Sequence, residues 1–286
     1  MLGRSLLMKA GEARLLYPAY VQDYLDRVTA ADVAAGNTLG LERGVTDAFS
    51  GAIEVMVANG ILGVSGGVIS QAASKIKAMC FMCGARTLSG CLVPVVGPAP
   101  TNFNFVSGDY DRKAGLKGNG TSKYLSANRA NNVDPQNSRH VSVFVSEANS
   151  ASNNGSYIAS ANVTSDGMTD MRAVRTTTPD FLRFCLNISS FVSEFDVNGT
   201  GASAGFIGSS RTSAIIVTAR AQGTAYTNNL QTSATPTSAA LNVFQRNGDQ
   251  YSDSRIAFYS IGESLHLAVL DSRISTLMAT LATAIP

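Results

Sequence analysis

The chain has 286 residues, with 22 Lys+Arg against 20 Asp+Glu and a formal net charge of +2. Charged residues make up 15% and hydrophobic residues 45%. That excludes a disordered chain, which needs low hydrophobicity and high net charge, and leaves no broad basic face for nucleic acid.

The N-terminal sequence Met1-Leu2-Gly3-Arg4-Ser5-Leu6-Leu7-Met8-Lys9 has too short an apolar run for the core of a signal peptide. Pro18 suits a first helical position, and Val21, Tyr24, Leu25 and Val28 then recur at helical spacing. Val45, Phe49, Ala52 and Met56 form a second stripe. Ile69, Ala73, Ile76, Met79 or Cys80, and Cys83 form a third. These stripes predict a helical region over 1–90 that packs against another helix or a second domain. The sharper reading makes this region an anchoring or oligomerisation element. Val55 to Ala73 is uncharged, but Asn59, Ser65, Ser70, Gln71 and four glycines make it too polar and broken for a membrane span.

Cys80, Cys83, Cys91 and Cys185 are the only cysteines. Cys80-x-x-Cys83 lacks a second ligand pair for zinc and a βαβ setting for redox chemistry, so it reads as core packing. Pro94, Gly97, Pro98 and Pro100 predict a stiff linker or extended edge segment over 91–100.

From 101 onward, short β-prone runs alternate with turn signals. The runs are Val141–Val145, Phe181–Leu186, Ala214–Thr218, Leu241–Phe244 and Ile256–Ile261. The turns include Asn131-Asn132, Asn153-Asn154-Gly155, Asn198-Gly199 and Asn247-Gly248. Many short strands without intervening helices predict a β-sandwich. No residue from Ala221 to Gln245 is charged, which suits a sheet face or a contact surface inside an assembly. Ser260-x-x-Glu263 has capping-box spacing, and Leu267, Leu270, Ile274, Leu277, Leu281 and Ile285 predict a closing helix docked on the sandwich.

Chemistry is harder to find. His140 and His266 are the only histidines, and neither has a nucleophile elbow beside it. Asp109 with Asp111 and Asp249 with Asp253 sit in turns, Glu147 lies just past a strand, and Glu194 stands alone. Asp134 among Asn131, Asn132 and Asn137 offers oxygen ligands for calcium as a minor reading. Gly115–Lys123 lacks the ending and the following helix of a phosphate loop.

Thr101–Val106, Asp109–Lys113, Gly115–Gly120, Lys123-Tyr124-Leu125, Asn128–Asn132, Asp134–Asn137, Gly205–Gly208 and Arg255–Leu265 resemble a module common in tailed-bacteriophage virion proteins. More distantly, their order is similar to concanavalin A-like, laminin G-type domains. The resemblance covers about 80 to 286. It implies a mainly β antiparallel jelly-roll sandwich over 101–286, with an α-helical N-terminal region and a C-terminal helix. It also implies a virion structural protein that is tail-associated or, alternatively, a head decoration protein, with a lectin-like sandwich turned outward. A tail polysaccharide-degrading enzyme is the more distant alternative. The expected partners are other virion proteins, further copies of the same chain and host-surface glycan, without nucleic acid or membrane insertion. The expected location is the virion, assembled in the host cytoplasm. The chain is expected not to be an enzyme; no catalytic, metal or cofactor residue is assigned, no cofactor is expected, and no ligand-binding residue is mapped.

Overall fold

The computed structural model describes residues 17–160, 167–188, 194–246 and 248–286. Two helices come first, α1 (Ala19–Ala34) and α2 (Arg43–Ala58). A small hairpin, β1 (Gly63–Ser65) and β2 (Val68–Ser70), leads to β3 (Ile76–Phe81), the single turn α3 (Leu88–Cys91) and β4 (Pro94–Val96). There follow β5 (Thr101–Phe103), β6 (Tyr110–Asp111), β7 (Gly115–Lys117), β8 (Tyr124–Ala130), β9 (Arg139–Glu147), β10 (Ser156–Ala159), β11 (Met168–Val174) and β12 (Phe181–Ile188). Then come β13 (Phe195–Asn198), β14 (Gly205–Arg211), β15 (Val217–Ala221), β16 (Thr224–Asn228), β17 (Ala240–Val243) and β18 (Arg255–Gly262), and α4 (Leu267–Ala284) closes the chain.

The strands form an antiparallel β-sandwich. One sheet has seven strands in the order β13-β12-β11-β10-β17-β8-β5. The other has nine, with the path β16-β15-β14-β9-β18-β3-β4 and β6 and β7 attached beside β18. Strand β9 lies between β14 and β18, and its alternating Val141, Val143 and Val145 are buried in the sandwich core. The opposite face of the same sheet is apolar too. Register aligns Phe144 with Phe258 and Phe258 with Phe81. The helices cover that face: Phe49 of α2 stacks on Phe81 at 5.5 Å, and Tyr24 of α1 meets both rings edge-on. Gly84 has a φ of +80°, and an added Cβ would lie 2.4 Å from the Phe49 ring, so the chain passes the helix there only as glycine.

Polar ties fix the helical layer. Asp32, buried at the end of α1, accepts the backbone N–H groups of Arg86 and Thr87 at 2.9 Å and the Thr87 hydroxyl at 2.7 Å. Glu42, just before α2, takes both guanidinium arms of Arg112 and a third contact from Arg86 at 3.0 Å. The Arg112 hydrogen bonds hold its carboxyl below the usual range. Helix α4 packs on α2 and on β14.

The third helical stripe is a correction. Ile76 to Phe81 is a strand buried on both faces, and such a strand reads as a continuous apolar run that also satisfies a helical template. Upstream, Gly66 and Gly67 at positive φ turn the β1–β2 hairpin. The segment at 91–100 takes its expected extended-edge form as β4. Strand β3 precedes that segment, and both belong to the nine-stranded sheet. Val217, not Ala214, begins β15, because the Ser213 hydroxyl accepts the N–H groups of Ile215 and Ile216 in a turn. Ser260 caps nothing: it lies inside β18, and α4 starts at Leu267. Among the described residues, no helix is long and apolar enough to cross a membrane.

The helical layer is therefore part of one core that runs from Val21 to Ile285. Phe49→Ala is expected to lower the unfolding free energy by about 3–5 kcal/mol in urea titrations. Exposed Phe103→Ala should stay within about 0.5 kcal/mol. A chain starting at residue 101 should lose the cooperative transition of the full chain, because Phe258 and Phe144 lose their cover.

Candidate functional site

Helices cover one face of the nine-stranded sheet and the seven-stranded sheet covers the other. The outer face of the seven-stranded sheet is built differently. Register sets Asp170 opposite Cys185, Arg172 opposite Arg183, and Arg183 opposite Asp196. These side chains share the face turned away from Met171, Phe184 and Val197, which point into the core. Asp170 is fully buried and accepts the Ser156 hydroxyl at 2.7 Å and Arg246 Nη1 at 3.3 Å, with Arg172 Nη1 at 3.6 Å. Arg246 also pairs with Asp249, and Arg183 bridges Glu194 at 2.6 Å and Asp196 at 2.8 Å. Burial pushes the Glu194 carboxyl above its usual range, against the pull of Arg183. Glu194 therefore does not stand alone: folding brings a line of carboxylates and guanidiniums from four separate segments onto one sheet face.

The β5 edge of this sheet carries an aromatic ledge. Phe103 and Tyr124 are cross-strand partners, stacked at 4.3 Å with an interplanar angle of 2°. Tyr251 approaches Tyr124 edge-on at 6.3 Å. Phe103 is 37% exposed although it is apolar. Amides and an ion pair hold the surrounding loops. Asn104 Nδ2 donates to the Ser122 carbonyl, the Asn119 side chain accepts the N–H groups of Thr121, Ser122 and Lys123, and Lys123 pairs with Asp109. Flat apolar rings framed by amides, hydroxyls and charges can stack on the C–H face of a sugar ring and hydrogen-bond its hydroxyls.

A cleft of about 480 Å³ opens where α4 begins, lined by Ser210, Thr212, Thr218, Arg220 and exposed His266. Arg220 spans it to Asp271 at 2.6 Å.

His140 lies elsewhere and is fully buried. Its Nδ1 is 2.6 Å from the Glu263 carbonyl oxygen, which can only accept, so Nδ1 carries the proton. Nε2 then accepts the Ser260 hydroxyl at 2.9 Å, and Ser142 donates to Ser260 at 2.7 Å. A serine and a histidine are within hydrogen-bond reach, but a backbone carbonyl orients the ring and all three side chains are sealed in the core. Burial pushes the imidazole down to about 4. This chain of bonds joins β9, β18 and the lead-in to α4.

The residues weighed for other chemistry are engaged as well. Asp134 is held by both arms of Arg129, and the Asn131 side chain bonds Arg139, Thr169 and the Gly167 carbonyl. Cys80 and Cys83 are buried, and burial pushes both thiols far up. Asp111 caps the turn at Lys113 and Ala114, and Asp253 accepts Ser150. The ledge and the charged face were missed in the sequence, because their members sit far apart along the chain and only strand register joins them.

No protein-family model matches the sequence, and no curated protein matches it. Among solved structures, the chain is similar to the botulinum neurotoxin serotype D binding domain at 12% identity and a TM-score of 0.48, covering 71% of this chain and 51% of that one. It is similar to domain 4 of an extracellular arabinanase from Geobacillus stearothermophilus, in complex with arabinotriose, at 15% identity and a TM-score of 0.41, covering 62% and 82%. It is also similar to the enzymatically active domain of tailspike protein 2 from bacteriophage CBA120, at 10% identity and a TM-score of 0.42, covering 61% and 29%. The chain thus spans about half of the toxin domain and less than a third of the tailspike chain. At this level the likeness concerns the fold alone. One expectation is corrected here. The chain was expected not to be an enzyme, yet the structures it resembles include a domain of an arabinanase and a tailspike's enzymatically active domain. A sandwich of this class does not set catalysis aside.

The buried imidazole makes stability depend on pH. Its folded pKa of about 4 lies below the unfolded value near 6.5, so its contribution is complete above about pH 6.5 and falls as pH drops toward 4. Unfolding free energy should fall by about 2 kcal/mol from this group between pH 7.5 and pH 5. In urea titrations across that range, His140→Gln should show a shallower slope than the unaltered chain.

Proposed function

We propose that this chain is a structural protein of a bacteriophage virion, tail-associated, whose sandwich contacts host-surface carbohydrate through the aromatic ledge and the adjoining outer face of the seven-stranded sheet. The observation that carries the carbohydrate reading is the exposed Phe103 ring, stacked on half-buried Tyr124 and set among Asn104, Asn119 and Lys123. Tyr124 is half-buried against the core and holds the exposed Phe103 ring flat at the surface, where that ring is available for a ligand. The virion reading rests on the sequence resemblance carried by Thr101–Val106 and Arg255–Leu265. On this reading the partners are other virion proteins and the chain resides in the particle, assembled in the host cytoplasm. The helical layer lies on the side opposite the ledge, so attachment through that side would leave the ledge free.

A glycan array probed with the full chain tests the binding. At least one host-surface polysaccharide should bind, and Phe103→Ala or Tyr124→Ala should weaken it by about tenfold or more, with the thermal transition retained. Binding of no glycan, or binding unchanged in both variants, would overturn the reading. Copy number from cryo-electron microscopy of the particle separates tail from head: a few or a dozen copies at the tail fit the proposal, and hundreds on the head lattice make it a decoration protein.

A further inference from the structure

Helix α4 packs on β14, and β15 and β16 continue the nine-stranded sheet beyond it. The step between the start of α4 and the face of that sheet forms the cleft of about 480 Å³. Such a volume lies within the range of small-ligand pockets, about 300–1,000 Å³. Strand register fixes what its floor carries. Val217, Ala219 and Ala221 of β15 are buried in the core, so the alternate residues Thr218 and Arg220 face the helix side. Ser210 of β14 pairs with Thr218, and Arg220 pairs with Ala225 of β16. All four line the cleft, with exposed His266 at its rim.

The donors gathered there are only partly used inside the chain. Arg220 gives Nε to Asp271 at 2.6 Å, and among the described residues neither Nη1 nor Nη2 has a hydrogen-bond partner. The other oxygen of Asp271 accepts the Ser275 hydroxyl at 3.0 Å. Ser210 is 1% exposed and its Oγ accepts the Leu265 N–H at 3.1 Å, yet among the described residues its own proton has no acceptor. A buried hydroxyl ordinarily spends its donor. Thr212 and Thr218 add two further hydroxyls, Leu265 and Leu267 add apolar wall, and no residue lining the cleft is acidic.

We infer that this cleft binds the carboxylate of an acidic sugar, such as a uronic acid residue. Anchored at Nε, the guanidinium keeps both Nη groups for a single ligand, and two parallel N–H···O bonds match a planar carboxylate. Arg220 is the only arginine or lysine lining the cleft, which suits a singly charged group better than a doubly charged phosphate. The three hydroxyls are available to the hydroxyls of the sugar ring, and the leucines to its C–H face. The inference does not depend on the carbohydrate reading of the ledge, because the cleft lies on the other sheet.

Isothermal titration calorimetry of the full chain with sodium galacturonate and sodium glucuronate tests this. At least one should bind with a Kd at or below about 1 mM. Its methyl ester keeps the ring and loses the charge, and should bind about tenfold more weakly or worse. Arg220→Ala would leave buried Asp271 without its cation, so the informative variant is Ala225→Glu. Exposed Ala225 faces Arg220 across the strand pair, and a glutamate there takes the free Nη groups. Ala225→Glu should weaken binding by about tenfold or more with the thermal transition retained, whereas uncharged Ala225→Gln should stay within about threefold. Phe103→Ala should leave uronate affinity unchanged, which separates this site from the ledge. Four results would each overturn the inference: no binding of either uronate up to about 10 mM, equal affinity for the ester, equal affinity in Ala225→Glu, or tighter binding of inorganic phosphate than of either uronate.

Discussion

The fold depends on one constraint: the nine-stranded sheet is apolar on both faces. Val141, Val143 and Val145 point one way, and Phe144, Phe258 and Phe81 point the other. A sheet with two apolar faces is stable only when both are covered. The seven-stranded sheet covers the first and the helices cover the second. Tyr24 and Phe49 are thus as much part of the core as the valines, and the helical segment cannot be read as an appendage to a finished sandwich. The same constraint explains the ties at Asp32 and Glu42. Each draws a helix terminus onto a loop of the sheet layer through hydrogen bonds that a loosely attached helix would not keep.

The end of the sandwich is closed by a different device. Arg139 and Arg211 are opposite each other on neighbouring strands, fully buried, and among the described residues no carboxylate bonds either. Arg211 donates to the carbonyls of Leu186, Ser213, Ala214 and Gln231, while Arg139 bonds Asn131 and Asn187. Burial pushes both guanidiniums down to about 10, which still leaves them charged at neutral pH. Guanidinium donors are numerous and planar, so two side chains gather the ends of β12, β14 and the segments at 131 and 231 without adding another apolar layer. Removing either would leave several carbonyls buried and unpaired.

Much of this was legible in the sequence, and its failures have physical reasons. The 267–285 stripe reflects a helix buried mainly on one side, where periodicity is clean, and the Val141–Val145 alternation stands out because its face toward the other sheet is all valine. The β3 segment fails because burial on both sides erases the period of two. Ser260 keeps the spacing of a helix cap, yet it lies inside β18, where its hydroxyl serves His140 across the sheet. The aromatic ledge and the charged face were less legible still. Phe103 and Tyr124 lie within recognisable motifs, but nothing in either motif says that the two rings stack. Glu194 looked solitary because Arg183 and Asp170 reach it only through strand pairing. Sites assembled by register are invisible to local spacing, whereas cores built by register leave their trace in every strand.

The distribution of charge follows from the same architecture. The nine-stranded sheet keeps a few charges, Arg139, Arg211 and Arg220 among them, and the outer face of the other sheet carries a set that pairs within itself. There Arg172, Arg183 and Arg246 are held by Asp170, Glu194, Asp196 and Asp249, so that face is polar and largely self-neutralised. A self-neutralised face exerts little long-range field and selects partners at contact distance through hydrogen bonds. The aromatic ledge beside that face adds an apolar ring to an otherwise polar surround. Edge β16 lies on the other sheet and carries no charge at all. The aromatic ledge and edge β16 thus lie on different sheets, the first framed by amides and an ion pair and the second without charge, because strand order places the ends of the two sheets independently.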